Sequence, residues 1–231
     1  MLIKEHEVLH SFLNGELRII QSRQGYRFSV DALLLAEFVS IKREDVVVDL
    51  GTGCGIISLL LAKKRGVGFV FGVELQEELA TQAKRNTVLN DLEKKIAIIR
   101  GDLRELPLAP RFANIVVCNP PYRKGESGRI NPDPCKAIAR HEIATRLDDI
   151  LSAGKTLLKP GGKLALIYPA NRLPEILGKM RVMGLEPKRL QIIYPDSSSY
   201  AKLAMIEGRL HGKPGVKILP PFFGQGRFSI V

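Results

Sequence analysis

The chain has 231 residues, 45% hydrophobic and 26% charged, values typical of a globular protein. This composition excludes a disordered, collagen-like or coiled-coil chain, and no apolar run approaches the ~20 residues of a transmembrane helix, so we expect no membrane partner. The net charge of +11 favours a polyanionic partner, nucleic acid before a membrane surface, although general solubility is an alternative explanation. Three widely spaced cysteines without a CxxC pair predict no disulfide framework, no metal site and a cytoplasmic location.

Residues 1–44 are predicted to form an N-terminal extension made of a β-hairpin and a helix. Within residues 13–29, an Asn14-Gly15 turn precedes the first of two strand-like runs, and Ser22 to Gly25 separates them. The segment from Asp31 to Ser40 then has the pattern of a short helix, with Asp31 near its start. The extension should therefore end just before residue 45, where strand patterns begin to alternate with helical patterns.

Residues 45–231 are predicted to form one Rossmann-like α/β domain. Strand patterns at residues 46–48, 67–73, 96–99, 115–118 and 163–168 alternate with helical patterns, as in βαβ units on a parallel sheet. Two further strand patterns, at residues 190–194 and 203–206, have no helix between them and predict an antiparallel pair at the sheet edge. We therefore expect a mostly parallel, seven-stranded sheet.

A glycine-rich loop, Asp49 to Gly55, follows the first strand of this domain. Gly51 and Gly53 would let the backbone approach a ligand closely, with a tight strand-to-helix turn as the alternative role. Glu74 follows Gly51 by 23 residues, at the end of the next strand, where an acidic side chain can accept both hydroxyls of a ribose. The loop and Glu74 together predict a nucleotide-binding site.

The charges around the loop point away from a dinucleotide. The glycine spacing is GxGxG, and Asp49 would repel a pyrophosphate, whereas it suits a cationic ligand. With Asp102 after the third strand, three carboxylates suit a ligand that carries a ribose, an amine and a positive charge, as S-adenosylmethionine does. The DLGTGCG segment resembles the loop of class I methyltransferases. In that family the residue matching Glu74 binds the ribose, the one matching Asp102 contacts the adenine, and the Asp49–Gly53 loop lies under the methionine part.

The tetrapeptide NPPY, residues 119–122, follows the fourth strand beside this loop. Transfer of a methyl group to an exocyclic amine needs two fixed acceptors for the amine hydrogens, and the Asn119 side-chain oxygen and the Pro120 carbonyl are suitable. Tyr122 offers a ring on which an unpaired base can stack. The tetrapeptide resembles the (D/N/S)PP(Y/F) motif of the amino-methyltransferases, whose targets include adenine N6, cytosine N4, guanine N2 and a glutamine amide.

Further segments are similar to the bacterial tRNA(Val) adenine-N6-methyltransferase family: GYRFSVDALLLA at residues 25–36, GRINP at 128–132, ARHE at 139–142 and KPGVKILPP at 213–221. The resemblance implies methylation of the adenine next to the anticodon of a tRNA. In the wider amino-methyltransferase group the segment matching Phe28 and Asp31 closes over the cofactor, which implies that role for both residues. A helix N-cap is the alternative role for Asp31.

Two kinds of observation bear on the substrate class: the charge of two segments, and the additional domains that other methyltransferases carry. Residues 123–140 and 201–231 are both basic, and Arg123, Lys124 and Arg129 could hold a phosphate backbone, although a solvated charged loop is the alternative. A protein glutamine methyltransferase uses the same NPPY chemistry but carries a helical domain ahead of the first strand. A DNA adenine methyltransferase brings a target-recognition domain. A cofactor-binding RNA assembly factor is the non-enzymatic alternative, which the intact motifs disfavour.

Overall fold

The computed structural model describes residues 3–23, 30–120 and 146–224, and these form two sheets and five α-helices. The strands are β1 (Glu7–Phe12), β2 (Leu17–Ser22), β3 (Val46–Leu50), β4 (Phe69–Glu74), β5 (Ile96–Arg100), β6 (Ala113–Cys118), β7 (Leu158–Pro169), β8 (Leu185–Tyr194), β9 (Leu203–Leu210), β10 (Lys217–Ile218) and β11 (Phe222–Phe223). The α-helices are α1 (Val30–Phe38), α2 (Ile56–Lys63), α3 (Glu77–Leu89), α4 (Leu147–Leu157) and α5 (Leu173–Val182). Short 3-10 turns span Leu13–Gly15 and Ala170–Arg172.

The central sheet has the strand order β10-β8-β9-β7-β6-β3-β4-β5, and β11 also pairs with β8. Strands β3 to β7 run parallel, whereas β9 is antiparallel to both of its neighbours, β7 and β8. This architecture confirms the predicted α/β class with an antiparallel pair. All seven predicted strands are present, and the two-residue strands β10 and β11 from the predicted irregular tail extend the sheet beyond β8.

The sheet is buried on both faces because helices cover it on both sides. Successive strand residues point to opposite faces, so Val47 packs in the core formed with α1, α2 and α3, while Val48 packs in the core formed with α4 and α5. Both side chains are fully buried. A run of β-branched residues, rather than an alternation with polar ones, is what a strand between two apolar layers requires.

The N-terminal hairpin is present, but it turns at Asn14-Gly15, which the sequence analysis placed ahead of the hairpin. Strand β1 precedes Asn14-Gly15 and β2 follows it, with Phe12 paired to Leu17 next to the turn. Asn14 and Gly15 both adopt positive φ angles, of 55° and 91°, which is the backbone that reverses a short hairpin. The predicted second strand-like run and its turn at Ser22 to Gly25 fall largely on residues 24–29, outside the described part of the chain.

The side chains of Asn86 in α3 and of Asn90, the residue that caps the end of α3, cover the outer edge of β2. The Asn86 amide accepts from the Ile20 N–H at 2.7 Å and donates to the Ile20 carbonyl at 3.0 Å. Asn90 does the same for Arg18, at 2.9 and 2.6 Å. The two amides thus replace a neighbouring strand and fix the hairpin on the helix that follows β4. The predicted division of the chain at residue 45 stays a prediction.

Candidate active site

The sheet brings most of the predicted site to one edge. Leu50, the last residue of β3, is level with Val73 of β4 and with Cys118 of β6, and Glu74 is level with Arg100 of β5. The residues that follow these strands therefore lie side by side at the carboxyl-terminal edge. This edge includes the point where the chain order reverses around β3, which is where open α/β sheets bind ligands.

The loop from Asp49 to Gly55, the glycine loop, is held by backbone hydrogen bonds to β4. The N–H groups of Gly51 and Thr52 both donate to the Val73 carbonyl, at 2.9 and 3.0 Å. Gly51 has a φ of 70°, which favours glycine, and a side chain there would meet no atom within 4 Å. Gly51 is exposed, so the backbone presents open space in which a ligand can approach it closely.

Asp49 lies fully buried beneath this loop. Its Oδ2 accepts hydrogen bonds from the Thr52 hydroxyl at 2.6 Å and the Ser58 hydroxyl at 2.8 Å, whereas Oδ1 has no partner among the described residues. Burial raises the pKa of Asp49 to about 6, against the opposing effect of the two hydroxyls. A positive charge bound above the loop would favour the ionised carboxylate and so lower this pKa.

Glu74 is oriented by the backbone around it. Its Oε2 accepts the Gly53 N–H at 2.9 Å, and its Oε1 accepts the Gln76 N–H at 2.9 Å. The side chain is nearly buried, and this burial raises its pKa despite both bonds. Each carboxylate oxygen has a second lone pair, so Glu74 can still accept two hydroxyl groups. Glu74 and the glycine loop therefore form one preorganised unit.

Asp102, after β5, is engaged by a residue that the sequence analysis missed. The Arg104 guanidinium contacts both Asp102 oxygens at 2.5–3.0 Å, and the Arg104 N–H adds a bond of 2.8 Å. The hydrogen bond from Arg104 holds the pKa of Asp102 below its usual range. An amine of a ligand would have to share Asp102 with Arg104 or displace that side chain.

Asn119 and Pro120 directly follow β6, so they lie beside Gly51 at the same edge. Asn119 is half-buried and Pro120 is buried. Asp31 is half-buried and lies inside the first turn of α1, so it does not hold the N-cap position. The remaining predicted site residues, Phe28, Tyr122, Arg123, Lys124 and Arg129, lie outside the described residues.

The two described cysteines are poor nucleophiles. Burial raises the pKa of Cys54 to about 12, and it raises the pKa of Cys118 as well. Both thiols therefore stay neutral near pH 7. Cys54 instead packs in the glycine loop, where its Sγ accepts a bond from the Gln21 side chain at 3.7 Å. This contact again links the hairpin to the loop.

A cavity of about 740 Å³ lies at the opposite edge of the sheet, between the end of α4 and the starts of β6 and β7. Arg111, Lys155 and His211 are among its lining residues, and no predicted site residue lines it. In the described ranges, no group of three His, Cys, Asp or Glu side chains could hold a metal ion. Nor does any described helix have the length and apolar character needed to cross a bilayer.

Comparison with known proteins shows the family of the chain. The sequence profile described as "Methyltransferase small domain" matches residues 24–182. A tRNA1(Val) (adenine(37)-N6)-methyltransferase of Aeromonas salmonicida is 32% identical over 72% of this chain and 69% of its own length. The enzyme of that name from Parabacteroides distasonis is 28% identical over 78% and 76%. The chain therefore belongs to the methyltransferase small domain family, and it is an enzyme of that class, as predicted.

Solved structures show the same fold. A protein described as a predicted O-methyltransferase from Agrobacterium tumefaciens aligns with a TM-score of 0.66 and 20% identity, over 86% of this chain and 89% of that one. TYW2 of P. horikoshii, in complex with MeSAdo, aligns with a TM-score of 0.64 and 15% identity, over 90% and 73%. These likenesses confirm the class I methyltransferase fold.

Proposed function

We propose that this protein transfers the methyl group of S-adenosylmethionine to the N6 amine of an adenine in RNA, in particular a tRNA adenine near the anticodon. The observation that carries the proposal is the position of Asn119 and Pro120, directly after β6 and beside Gly51. An acceptor pair for an amine thus stands next to a loop suited to a nucleoside ligand. The names of the relatives support the choice of adenine and of tRNA.

The described residues fit S-adenosylmethionine. Glu74 would accept hydrogen bonds from the ribose hydroxyls, because its carboxylate is already aligned by the Gly53 and Gln76 N–H groups. The open space above Gly51 would take the methionine part, and the unpartnered Asp49 oxygen beneath the loop suits its positive charge. The cofactor supplies an electrophilic methyl group on a sulfonium centre.

The adenine and the exposed side of the cofactor would contact residues outside the glycine loop. Asp102, held by Arg104, would contact the adenine. By resemblance, Phe28 and Asp31 would close over the bound cofactor. Asn119 would contact both the cofactor and the substrate amine, since it lies between the glycine loop and the substrate side of the edge.

The chemistry assigned to the protein is orientation rather than strong base catalysis. The Asn119 side-chain oxygen and the Pro120 carbonyl accept the two amine hydrogens and so favour the pyramidal nitrogen of the transition state. The proton becomes acidic only as the nitrogen–carbon bond forms, so it can leave to water without a strong base. Tyr122 holds the target base by stacking on it.

RNA binding would draw on the basic residues Arg123, Lys124 and Arg129, which follow the NPPY motif. The net charge of +11 supports a phosphate backbone as partner. A cytoplasmic location, where tRNA is modified, belongs to the same proposal. So does the division into an extension, residues 1–44, and a methyltransferase domain, residues 45–231.

Methyl transfer from radiolabelled S-adenosylmethionine tests the substrate class. The wild-type enzyme is offered unmodified tRNA, duplex DNA and a translation release factor in parallel. We expect labelled N6-methyladenosine in the tRNA only. Label in DNA would favour a DNA adenine methyltransferase, and label on a glutamine of the release factor would favour a protein methyltransferase. A control tRNA with guanosine in place of the target adenosine should stay unlabelled.

A further inference from the structure

Three aromatic residues lie at the carboxyl-terminal edge of the sheet, on the side of β6 that faces away from β3. Tyr194 ends β8, Phe223 ends β11, and Tyr200 lies in the loop that leads from β8 into β9. The carboxyl ends of β8 and β11 share an edge with that of β7, because β8 and β7 are both antiparallel to β9 and β11 is parallel to β8. The aromatic platform, defined as Tyr194, Tyr200 and Phe223, therefore shares its edge with Asn119.

The platform is held in place by its neighbours. The rings of Tyr194 and Phe223 are 5.6 Å apart, within the range of paired aromatic side chains. The Lys202 N–H donates to the Ile193 carbonyl at 2.9 Å, and the Lys202 carbonyl accepts from the Ala170 N–H at 2.9 Å. Lys202 thus links the ends of β7 and β8, and it is an exposed residue two positions after Tyr200 in the same loop.

The loop that carries Tyr200 is braced from within. The Asp196 carboxylate accepts hydrogen bonds from the hydroxyls of Ser198 and Ser199, both at 2.7 Å, and from the Ser198 N–H at 2.8 Å. Tyr200 follows directly and is 95% exposed, and Phe223 is 44% exposed. A large aromatic ring is therefore presented to solvent on a loop that the Asp196 carboxylate holds through three hydrogen bonds.

The distance to the proposed reaction centre suits nucleotides that flank the target base. In register, Asn119 is level with Ile167 of β7, and Lys202 is level with Ala170, three residues further along. Three residues along a strand span about 10 Å. The two strand spacings that must be crossed, from β6 to β7 and from β7 to β9, also amount to about 10 Å. Lys202 therefore lies on the order of 14 Å from Asn119, within reach of the neighbours of a base bound there.

We propose that the aromatic platform and Lys202 bind the nucleotides next to the target adenosine, by stacking on their bases and by contact with a phosphate. This inference rests on the proposed RNA methyltransferase function. Exposed aromatic rings beside a cation are the chemistry with which proteins hold single-stranded nucleic acid, because every base has a face for stacking. The platform favours an unpaired strand, since only unstacked bases can lie on a ring.

Binding and single-turnover measurements on an unmodified tRNA(Val) transcript test the platform. Tyr200→Ala should weaken binding of the tRNA roughly 5- to 100-fold, the range expected for the loss of one stacked base. Tyr200→Phe should bind within about twofold of wild type, because stacking uses the ring. The rate at saturating tRNA should change little in either variant, since Tyr200 is remote from the reacting atoms. Val182→Ala, which alters an 88% exposed side chain at the far end of α5, is the control and should behave as wild type.

The outcomes separate this inference from the proposed function. If wild-type protein methylates the tRNA and Tyr200→Ala binds it equally well, the platform is refuted while the function stands. If Tyr200→Phe loses as much binding as Tyr200→Ala, the contact is made by the hydroxyl and the stacking role is refuted. If wild-type protein methylates no RNA, the proposed function fails and the inference fails with it. Equal melting midpoints and cofactor affinities in all variants establish that the fold is intact.

Discussion

The Asn86 side chain donates a hydrogen bond of 2.9 Å to the Cys54 carbonyl and thereby joins helix α3 to the glycine loop. The same fully buried amide bonds the N–H and carbonyl of Ile20 in the hairpin. One side chain thus satisfies three buried backbone groups from two segments distant in sequence. Because the glycine loop carries the Glu74 contact, and Gln21 of the hairpin bonds Cys54 in the same loop, the hairpin supports the shape of the proposed cofactor site.

Asn86→Ala should weaken both stability and cofactor binding. It leaves three buried backbone groups without partners, at about 1–3 kcal/mol each, so we expect a loss of roughly 3 kcal/mol or more in the free energy of unfolding. Urea denaturation measures the first effect and calorimetry with S-adenosylmethionine the second. Asn90→Ala is the matched control, because Asn90 holds Arg18 of the hairpin but not the loop. It should lose stability and keep its cofactor affinity. An equal loss of affinity in both variants would mean general destabilisation.

Glu74→Ala should reduce the affinity for S-adenosylmethionine by about 1.5–3 kcal/mol, the usual contribution of hydrogen bonds to a charged group. Glu74→Gln should also bind weakly, because its NH2 group would face a backbone N–H of Gly53 or Gln76. Glu77→Ala, which removes a nearby exposed carboxylate paired with Arg100, is the control and should bind as wild type. Calorimetry at pH 7.5 gives all four affinities. Wild-type affinity in Glu74→Ala would remove Glu74 from the ribose site.

The affinity for S-adenosylmethionine should fall as the pH is lowered through about 6. Burial places the pKa of Asp49 there, so the free protein loses this negative charge below pH 6. A positively charged cofactor favours the ionised form, and its binding must then release a proton, with a slope of up to tenfold per pH unit. Asp49→Asn should bind more weakly at pH 7.5 and show little change between pH 5 and 7.5. A wild-type affinity that is flat across this range would separate Asp49 from cofactor binding.

Neutralising Arg123, Lys124 and Arg129 together should weaken tRNA binding and flatten its dependence on salt. Each lost phosphate contact lowers the slope of log affinity against log salt by about 0.7–0.9. The matched control is Arg111→Ala with Lys155→Ala and Lys159→Ala, which removes three positive charges from the opposite edge of the sheet, where Arg111 and Lys155 line the cavity and Lys159 is an exposed residue at the start of β7. Filter binding at several salt concentrations compares the two triple variants. Equal slopes would place the RNA on another surface.

The parallel strands could be predicted because each depends on the hydrophobic pattern of residues that are neighbours in sequence. Strands β3 to β6 are short, mostly apolar runs, and a glycine, an acid or the Asn119-Pro120 pair lies at or just after the end of each. Their parallel direction follows from the helical patterns between them. The glycine loop and Glu74 were predictable for the same reason. The hydrogen bond of 2.9 Å from the Gly53 N–H to Glu74 follows from the pairing of β3 with β4. The alternation of strand and helix patterns already implies that pairing.

Features that depend on partners distant in sequence could not be predicted. Strand β1 mixes polar and apolar residues and becomes a strand by pairing with β2, so Asn14-Gly15 was placed before the hairpin instead of at its turn. Strand β8 begins at Leu185, five residues before the predicted start, because β9 pairs across a shift in register near Pro187. The role of Asn86 could not be predicted either. Asparagine is a weak helix former, and its hydrogen bonds exist only because the helix packs against Ile20 of the hairpin.

The turnover of Asn119→Ala tests the central claim most directly. The variant removes one of the two proposed acceptors for the amine, an interaction made mainly in the transition state. The chemical rate should therefore fall far more than the affinity for S-adenosylmethionine or for tRNA. Single-turnover methylation of saturating tRNA should be slower by roughly a hundred- to thousand-fold, the cost of one preorganised hydrogen bond at such a site. Methylation by Asn119→Ala at the wild-type rate would contradict the amino-methyltransferase mechanism.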